Sequence, residues 1–250
     1  MEWLRYLIFG KKAPTPVSSH AYDKVQMNLR AVWNQTLYRD FGIERLLRLL
    51  LVVLGFILPG TLFRYLISQF SRSFLLRRAA VELFALLKVG WFIWLLHSGT
   101  ALNGWWLAGS VVLTLDTFHF LLSRIFLADV HPGHTSFRRS LLLMIVNFWE
   151  MCLAFAASYL YLDYHLAATG GAAFSRHPIT AVEAIYFSVI TSATVGYGDI
   201  HPIAPVVMKL VVVQIAVSLF FVVVYLSSVI NNLDKGGELS RYVHGSQEPL

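Results

Sequence analysis

Apolar runs of membrane length, separated by short polar or basic connectors, order this chain. A helix needs roughly 20 residues to cross a bilayer. Four runs meet or approach that length, at 79–97, 104–127, 140–162 and 205–230. A fifth, between Arg48 and Arg64, holds only 15 residues, and Pro59-Gly60 interrupts it near its far end. Residues 45–70 are therefore expected to form either a short tilted span or a re-entrant hairpin. One further apolar stretch is shorter still. It opens on Thr180-Ala181-Val182-Glu183, which reads as a capping box with Thr180 as N-cap and Glu183 at the third helical position. The helix it starts runs about three turns to Ser192, too short to span, so it must enter the membrane and stop there. The expected fold is an all-α membrane protein.

The polar segments set boundaries and sidedness. Residues 1–44 are polar and mixed in charge, with Arg5, Lys11, Lys12, Lys24, Arg30 and Arg39. Trp3, Tyr6 and Phe9 recur at helical spacing, as in a helix lying in the headgroups or in an ordinary packed amphipathic helix. Residues 71–127 read as a transmembrane hairpin. Its basic base carries Arg72, Arg77 and Arg78, and its tip at 98–103 has no Lys or Arg. Trp91, Trp94, Trp105 and Trp106 gather near that tip, where an aromatic belt belongs. Residues 128–139, with Pro132, Gly133, Arg138 and Arg139, read as a cytoplasmic linker, and 233–250 as a cytoplasmic tail. The basic connectors place the tip outside. A re-entrant 45–70 keeps the basic N-terminal segment inside; a full span would put it outside.

The stretch that the rest serves is Thr194-Val195-Gly196-Tyr197-Gly198-Asp199. It suits neither helix nor strand. Glycine reaches backbone angles other residues avoid. Alternating it with larger residues lets successive carbonyls face one way, and a ring of such segments stacks layers of oxygens that replace the water around a bare cation. With an outer helix, a short helix and an inner helix around it, residues 140–232 resemble the two-helix pore domain of potassium channels, for which this loop is the known filter. The resemblance covers roughly the last 110 residues.

That resemblance implies a potassium-selective channel built as a homotetramer in the bilayer, passing K+ as the permeant ion and needing no cofactor. It implies K+ coordination by the carbonyls of Thr194, Val195, Gly196 and Tyr197 and the Thr194 hydroxyl, with Gly198 completing the filter and Asp199 at the outer mouth. It further implies a multi-pass protein of the plasma (inner) membrane. The chain departs from the family in places. Ile190 stands where some members carry a glutamate behind the filter, and Tyr186 and Phe187 stand where many carry a tryptophan pair. Ser218 occupies the place of a hinge glycine. Val222, Val223, Leu226 and Ile230 line the lower inner helix, as either a dewetting gate or ordinary packing.

Composition narrows the alternatives. At 57% hydrophobic and 14% charged residues, the chain is a membrane protein. Its net charge of +6 sits between apolar runs, which fits topology and headgroup contacts and excludes a nucleic-acid stripe. The single cysteine, Cys152, allows no disulfide within the chain. Glu82, Asp116 and Glu150 are scattered, with no nucleophile, base or metal-ligand spacing, so no enzyme is expected. The helix before the pore lacks the arginine ladder of a voltage sensor. A tail of about 20 residues leaves no room for a nucleotide- or calcium-binding domain. His131, His134 and His201 are candidate pH-responsive groups, or plain solvated histidines. The competing reading is a non-conducting scaffold or complex subunit that keeps the pore fold. A transporter with four pore loops in one chain does not fit a single filter motif. Lastly, Lys88 and Asp116 each lie 14 residues from the hairpin tip near Leu102. Equal distances mean equal depth, about 21 Å below the tip at the helical rise, so the two are expected to form a membrane ion pair.

Overall fold

The structure is a computed structural model that describes residues 29, 32–33, 42–70, 74–99, 102–127 and 137–224. The expectations for 1–28, for most of the 128–139 linker, for Leu226 and Ile230 and for the 233–250 tail lie outside the described residues. The described chain is helical: α1 Ile43–Ile57, α2 Pro59–Phe70, α3 Phe74–His97, α4 Gly104–Phe126, α5 Phe137–Ala168, α6 Ala181–Ser192 and α7 Pro205–Val224. Stretches of α3, α4, α5 and α7 are long and apolar enough to cross a membrane, and α6 is a short apolar helix. The chain is an all-α, multi-pass membrane protein. Its residues fall into two compact units: 1–91 with 108–134, and 92–107 with 135–250.

In the first unit, proline decides the shape of 45–70. Pro59 has no N–H and its ring blocks the preceding turn, so α1 must stop before it. Leu58 is extended, with φ −74° and ψ 143°. The chain restarts as α2 at an angle of 57° to α1. Pro59 is well placed as the first helical residue, but the next donor, Gly60 N–H, has no partner within its helix. Asp116 on α4 supplies one: its Oδ1 accepts from Gly60 N at 2.9 Å. A carboxylate at the positive end of a helix is favourable for the same reason. Close approach here requires glycine, since a Cβ on Gly60 would sit 2.9 Å from Asp116 Cγ. One face of α1 is exposed in the single chain, at Ile43, Leu46, Leu50 and Ile57, while Leu51 and Val52 pack inward against Val32 and Leu127.

The expected ion pair takes a different form. Lys88 and Asp116 are both buried, at similar depth. Yet the ammonium of Lys88 donates to Thr117 Oγ1, one residue along, and lies 5.2 Å from the Phe84 ring centre. The bond the structure gives Asp116 goes to Gly60. The depth argument fixed height along the helices but not rotation about them: a step of one residue turns the side chain about 100° around α4. His119, one turn on from Asp116, has its Nε2 2.7 Å from Leu51 O. Helix α3 also begins earlier than hydropathy suggested, so Arg77 and Arg78 fall inside it.

In the second unit, α5 runs past the apolar stretch of 140–162 to Ala168. Glycine, not hydropathy, ends it. Gly170 takes φ 76°, and Gly171 N bonds Leu166 O at 2.9 Å while Gly170 N bonds Ala167 O at 3.0 Å, the Schellman pattern. Small residues on α5, Ala154, Ala156 and Ala157, are buried, as is Ala184 on α6. Their size lets helix backbones approach, and α5 packs on α6. The packing is sealed by Tyr159, Phe174 and Phe187, whose rings meet edge-on with centroids 5.0–5.7 Å apart. At the hairpin tip Trp94 meets Trp106 edge-on at 5.8 Å.

If Asp116 serves as the acceptor for α2, its chemistry matters more than its charge. Asp116→Ala should lower stability by about 1–3 kcal/mol, the cost of a buried donor left unpaired. Asp116→Asn, which keeps an acceptor, should cost clearly less. Thermal unfolding of the detergent-purified protein separates the two; equal losses would reject the role.

Candidate functional site

The loop ahead of α6 is tied down before the helix begins. Asp163, buried near the end of α5, accepts from Ile179 N at 2.9 Å through one oxygen and meets His177 Nδ1 at 2.7 Å through the other. Thr180 is extended and caps α6. Its Oγ1 accepts from Glu183 N at 3.2 Å, and Glu183 Oε2 accepts from Thr180 N at 2.8 Å. Arg176 adds an ion pair to Glu183 at 3.2 Å. The hydrogen bond from the Thr180 backbone, more than Arg176, holds the Glu183 carboxyl below its ordinary range.

At the other end of α6 the helix hands over to residues 194–199, the candidate filter. Thr194 N bonds Thr191 O at 3.1 Å and Val195 N bonds Ile190 O at 2.9 Å. These two bonds set where the filter starts. From there the backbone alternates: Thr194, Gly196 and Gly198 have φ of 55°, 58° and 80°, while Val195 and Tyr197 keep negative φ. A run of alternating sign turns every second peptide over, so carbonyls that would diverge in a strand face a common side. Residues 193–199 are all exposed in the single chain. Among the described residues, no backbone N–H donates to the carbonyls of Thr194, Val195, Gly196 or Tyr197.

Past the filter, three ties anchor its outer end. Tyr186 on α6 donates its hydroxyl to Asp199 Oδ2 at 2.9 Å. That bond raises the Tyr186 hydroxyl above its ordinary pKa. His201 Nδ1 lies 3.2 Å from Gly198 O; a carbonyl only accepts, so that nitrogen carries the proton. The stretch after the filter also pairs with the loop before α6. Ser175 N bonds His201 O at 2.9 Å, Ile203 N bonds Ala173 O at 2.9 Å, and Phe174 bridges Pro202.

Behind the filter lies a polar cluster that sequence reasoning did not find. Gln214 of α7 is fully buried, together with Tyr159, Ser188 and Ser192. Tyr159 donates its hydroxyl to Gln214 Oε1. Gln214 Nε2 donates to Ser188 O at 2.8 Å, Ser188 Oγ at 2.9 Å and Ser192 Oγ at 2.7 Å. Ser188 Oγ donates in turn to Cys152 O at 2.7 Å. The available signal was Gln214 itself, the lone amide in the apolar run of α7. Ser218, the candidate hinge, is buried and donates to Gln214 O at 2.8 Å, a back-bond of the kind that bends helices slightly. Val222 is about half exposed in the single chain.

Residues 148–235 match a protein-family model described as an ion channel. The matched stretch runs from mid-α5 through α6 and the filter to beyond α7, so it encloses the whole of this site and supports an ion channel. No curated protein and no solved structure matches the chain.

The cap and the outer tie each generate a test. Thr180→Ala should cost about 1 kcal/mol, the usual worth of a threonine cap. Because the folded Glu183 carboxyl sits below its unfolded value, its contribution is present above the ordinary carboxylate range and is lost as pH falls through the lowered folded value. The Thr180 hydroxyl also donates to Glu183 Oε2 at 2.8 Å, a bond that Thr180→Ala removes while the backbone bond stays, so the stability gap between wild type and the variant should shrink on acidification, as read by unfolding at a series of pH values. A gap that grows instead would contradict the cap. Tyr186→Phe removes the Asp199 tie without changing ring volume. Currents from that variant should decay faster during maintained activity, and unchanged decay would show the tie to be dispensable.

Proposed function

We propose that this chain is the subunit of a potassium-selective channel in which four copies surround one conduction path. The observation that carries the reading is the alternating backbone of 194–198, with three positive φ values and, among the described residues, no backbone N–H donating to the carbonyls of 194–197. Exposed in the single chain, these carbonyls would be shut from bulk water in the proposed assembly, where leaving them unpaired is expensive. Oxygen dipoles aimed at a bare cation resolve that cost and replace the ion's water. One strand gives only one side of such a cage, so the reading requires several copies around an axis. The exposed apolar residues of α7, such as Val206, Val212, Val213 and Val223, fit a helix that faces lipid, a pore and neighbouring subunits.

Each part has a task in this reading. The carbonyls of Thr194, Val195, Gly196 and Tyr197, with the Thr194 hydroxyl, coordinate K+. Gly198 completes the turn-over of the peptides. Asp199 lies at the outer mouth, where a carboxylate raises the local cation concentration. The C-terminal end of α6 carries a partial negative charge and four such ends would favour a cation in the cavity beneath the filter.

Planar-bilayer recording of the purified protein between potassium and sodium solutions tests the proposal. The reversal potential should follow the potassium gradient; one near zero would reject selectivity. Gly196→Ala provides the matching variant. A Cβ there meets no atom of its own chain within 4 Å, so folding of the subunit should survive, but φ of 58° disfavours any residue with a side chain. Conduction should be lost while assembly persists. Wild-type-like currents from Gly196→Ala would remove the basis of the reading.

A further inference from the structure

The filter's first residues take their position from the last turn of α6, through the bonds of Thr194 N and Val195 N to Thr191 O and Ile190 O. The placement of that turn is a separate matter, and the Gln214 amide bears on it directly. Its carbonyl end is occupied by the Tyr159 hydroxyl from α5. Its nitrogen end faces Ser188 O, Ser188 Oγ and Ser192 Oγ on α6. The orientation is forced, because Ser188 O only accepts and Ser188 Oγ already gives its proton to Cys152 O. An amide has two protons for these three oxygens, so it sits in the fork of the turn and shares a donor between them. Tyr159 is in turn held by the rings of Phe174 and Phe187. A single side chain thus links α7, α5 and the turn of α6 that ends two residues before Thr194.

We propose that Gln214 is a positioning residue for ion selectivity, fixing the last turn of α6 and through it the Thr194 and Val195 backbone. The inference rests on the potassium-channel reading above. Gln214, Tyr159, Ser188 and Ser192 are all buried, where a donor or acceptor without a partner is costly. The cluster therefore resists small displacements of α6 along or around its axis. Apolar contacts alone would allow the turn to slide, since packing is less directional than a hydrogen bond. A slide would move the Thr191 and Ile190 carbonyls and, with them, the spacing of the filter oxygens that separates potassium from sodium.

The test is the potassium-to-sodium permeability ratio of the assembled channel in planar bilayers. Gln214→Met keeps the length of the side chain and removes every hydrogen bond it makes. Tyr159→Phe removes only the bond that orients the amide and keeps the ring contacts. With a potassium-selective wild type, Gln214→Met should lower the ratio by about tenfold, the factor that one hydrogen bond's worth of energy produces. Tyr159→Phe should lower it by a smaller factor in the same direction. If Gln214→Met does not assemble, Tyr159→Phe decides alone. A ratio unchanged within twofold in the assembled variant would overturn the role of Gln214 and leave the channel reading standing. A wild type without potassium selectivity would instead overturn the channel reading, and this inference with it. A purely structural Gln214 would lower thermal stability while leaving the ratio where it was.

Discussion

A row of backbone carbonyls, at 194–197, to which no described backbone N–H donates is the constraint on which much of this structure depends. Regular secondary structure exists because peptide groups satisfy one another. Residues 194–198 give that up. Their alternating φ values orient oxygens toward one side, and among the described residues no strand pairs with them. Such a segment has no internal reason to hold its shape. Its geometry must be imposed from both ends, and many polar contacts in the second unit serve one end or the other.

The inner end is imposed by α6, and α6 is imposed by its surroundings. Its start is fixed by the Thr180 and Glu183 cap and by Asp163, which grips the residues just ahead of it. Its last turn is fixed by Gln214 and Tyr159. The outer end is held by Tyr186 on Asp199, by His201 on Gly198, and by the pairing of 173–175 with 201–203. Tyr186 on α6 reaches across to Asp199, just after residues 194–198. In a protein this apolar, polar side chains are concentrated where position must be exact to a fraction of an ångström, and hydrophobic packing is left to fill the space between them. The first unit follows the same economy, with Asp116 used to complete the start of a helix that proline had left open.

Much of this was legible in the sequence because it is written in local chemistry. The capping box at Thr180 and the break at Pro59 each depend on residues a few positions apart, and each occupies its expected place; the glycine alternation at 194–199 is local chemistry of the same kind. Contacts between helices were not legible in the same way. Equal spacing from the hairpin tip put Lys88 and Asp116 at one depth, but which residue of α4 meets Lys88 depends on rotation, and rotation is decided by packing. Gln214 was unread for a related reason. A lone amide in an apolar helix signals a polar partner somewhere, yet nothing near it in the chain names Tyr159 or Ser188. The end of α5 misled for another cause: hydropathy reports where a membrane ends, whereas a helix ends where its carbonyls find other donors, here at Gly170 and Gly171.

Thr194 carries a further argument. It is the one described residue other than glycine with a positive φ, and such a conformation costs a side-chain-bearing residue roughly 1–2 kcal/mol. If backbone shape were all the position required, glycine would supply it without that cost, as it does at 196 and 198. The threonine side chain must therefore be of use where it stands. It has an oxygen to offer, and it sits at the first turned-over peptide, at the end of the carbonyl row that α6 positions. On the proposed reading that hydroxyl adds a layer of oxygen below the lowest carbonyls, at the point where a cation leaves water for the filter. The strain at Thr194 and the polar cluster around Gln214 then belong together: a residue held in an unfavourable conformation needs a rigid base, and the last turn of α6 is made rigid just beneath it.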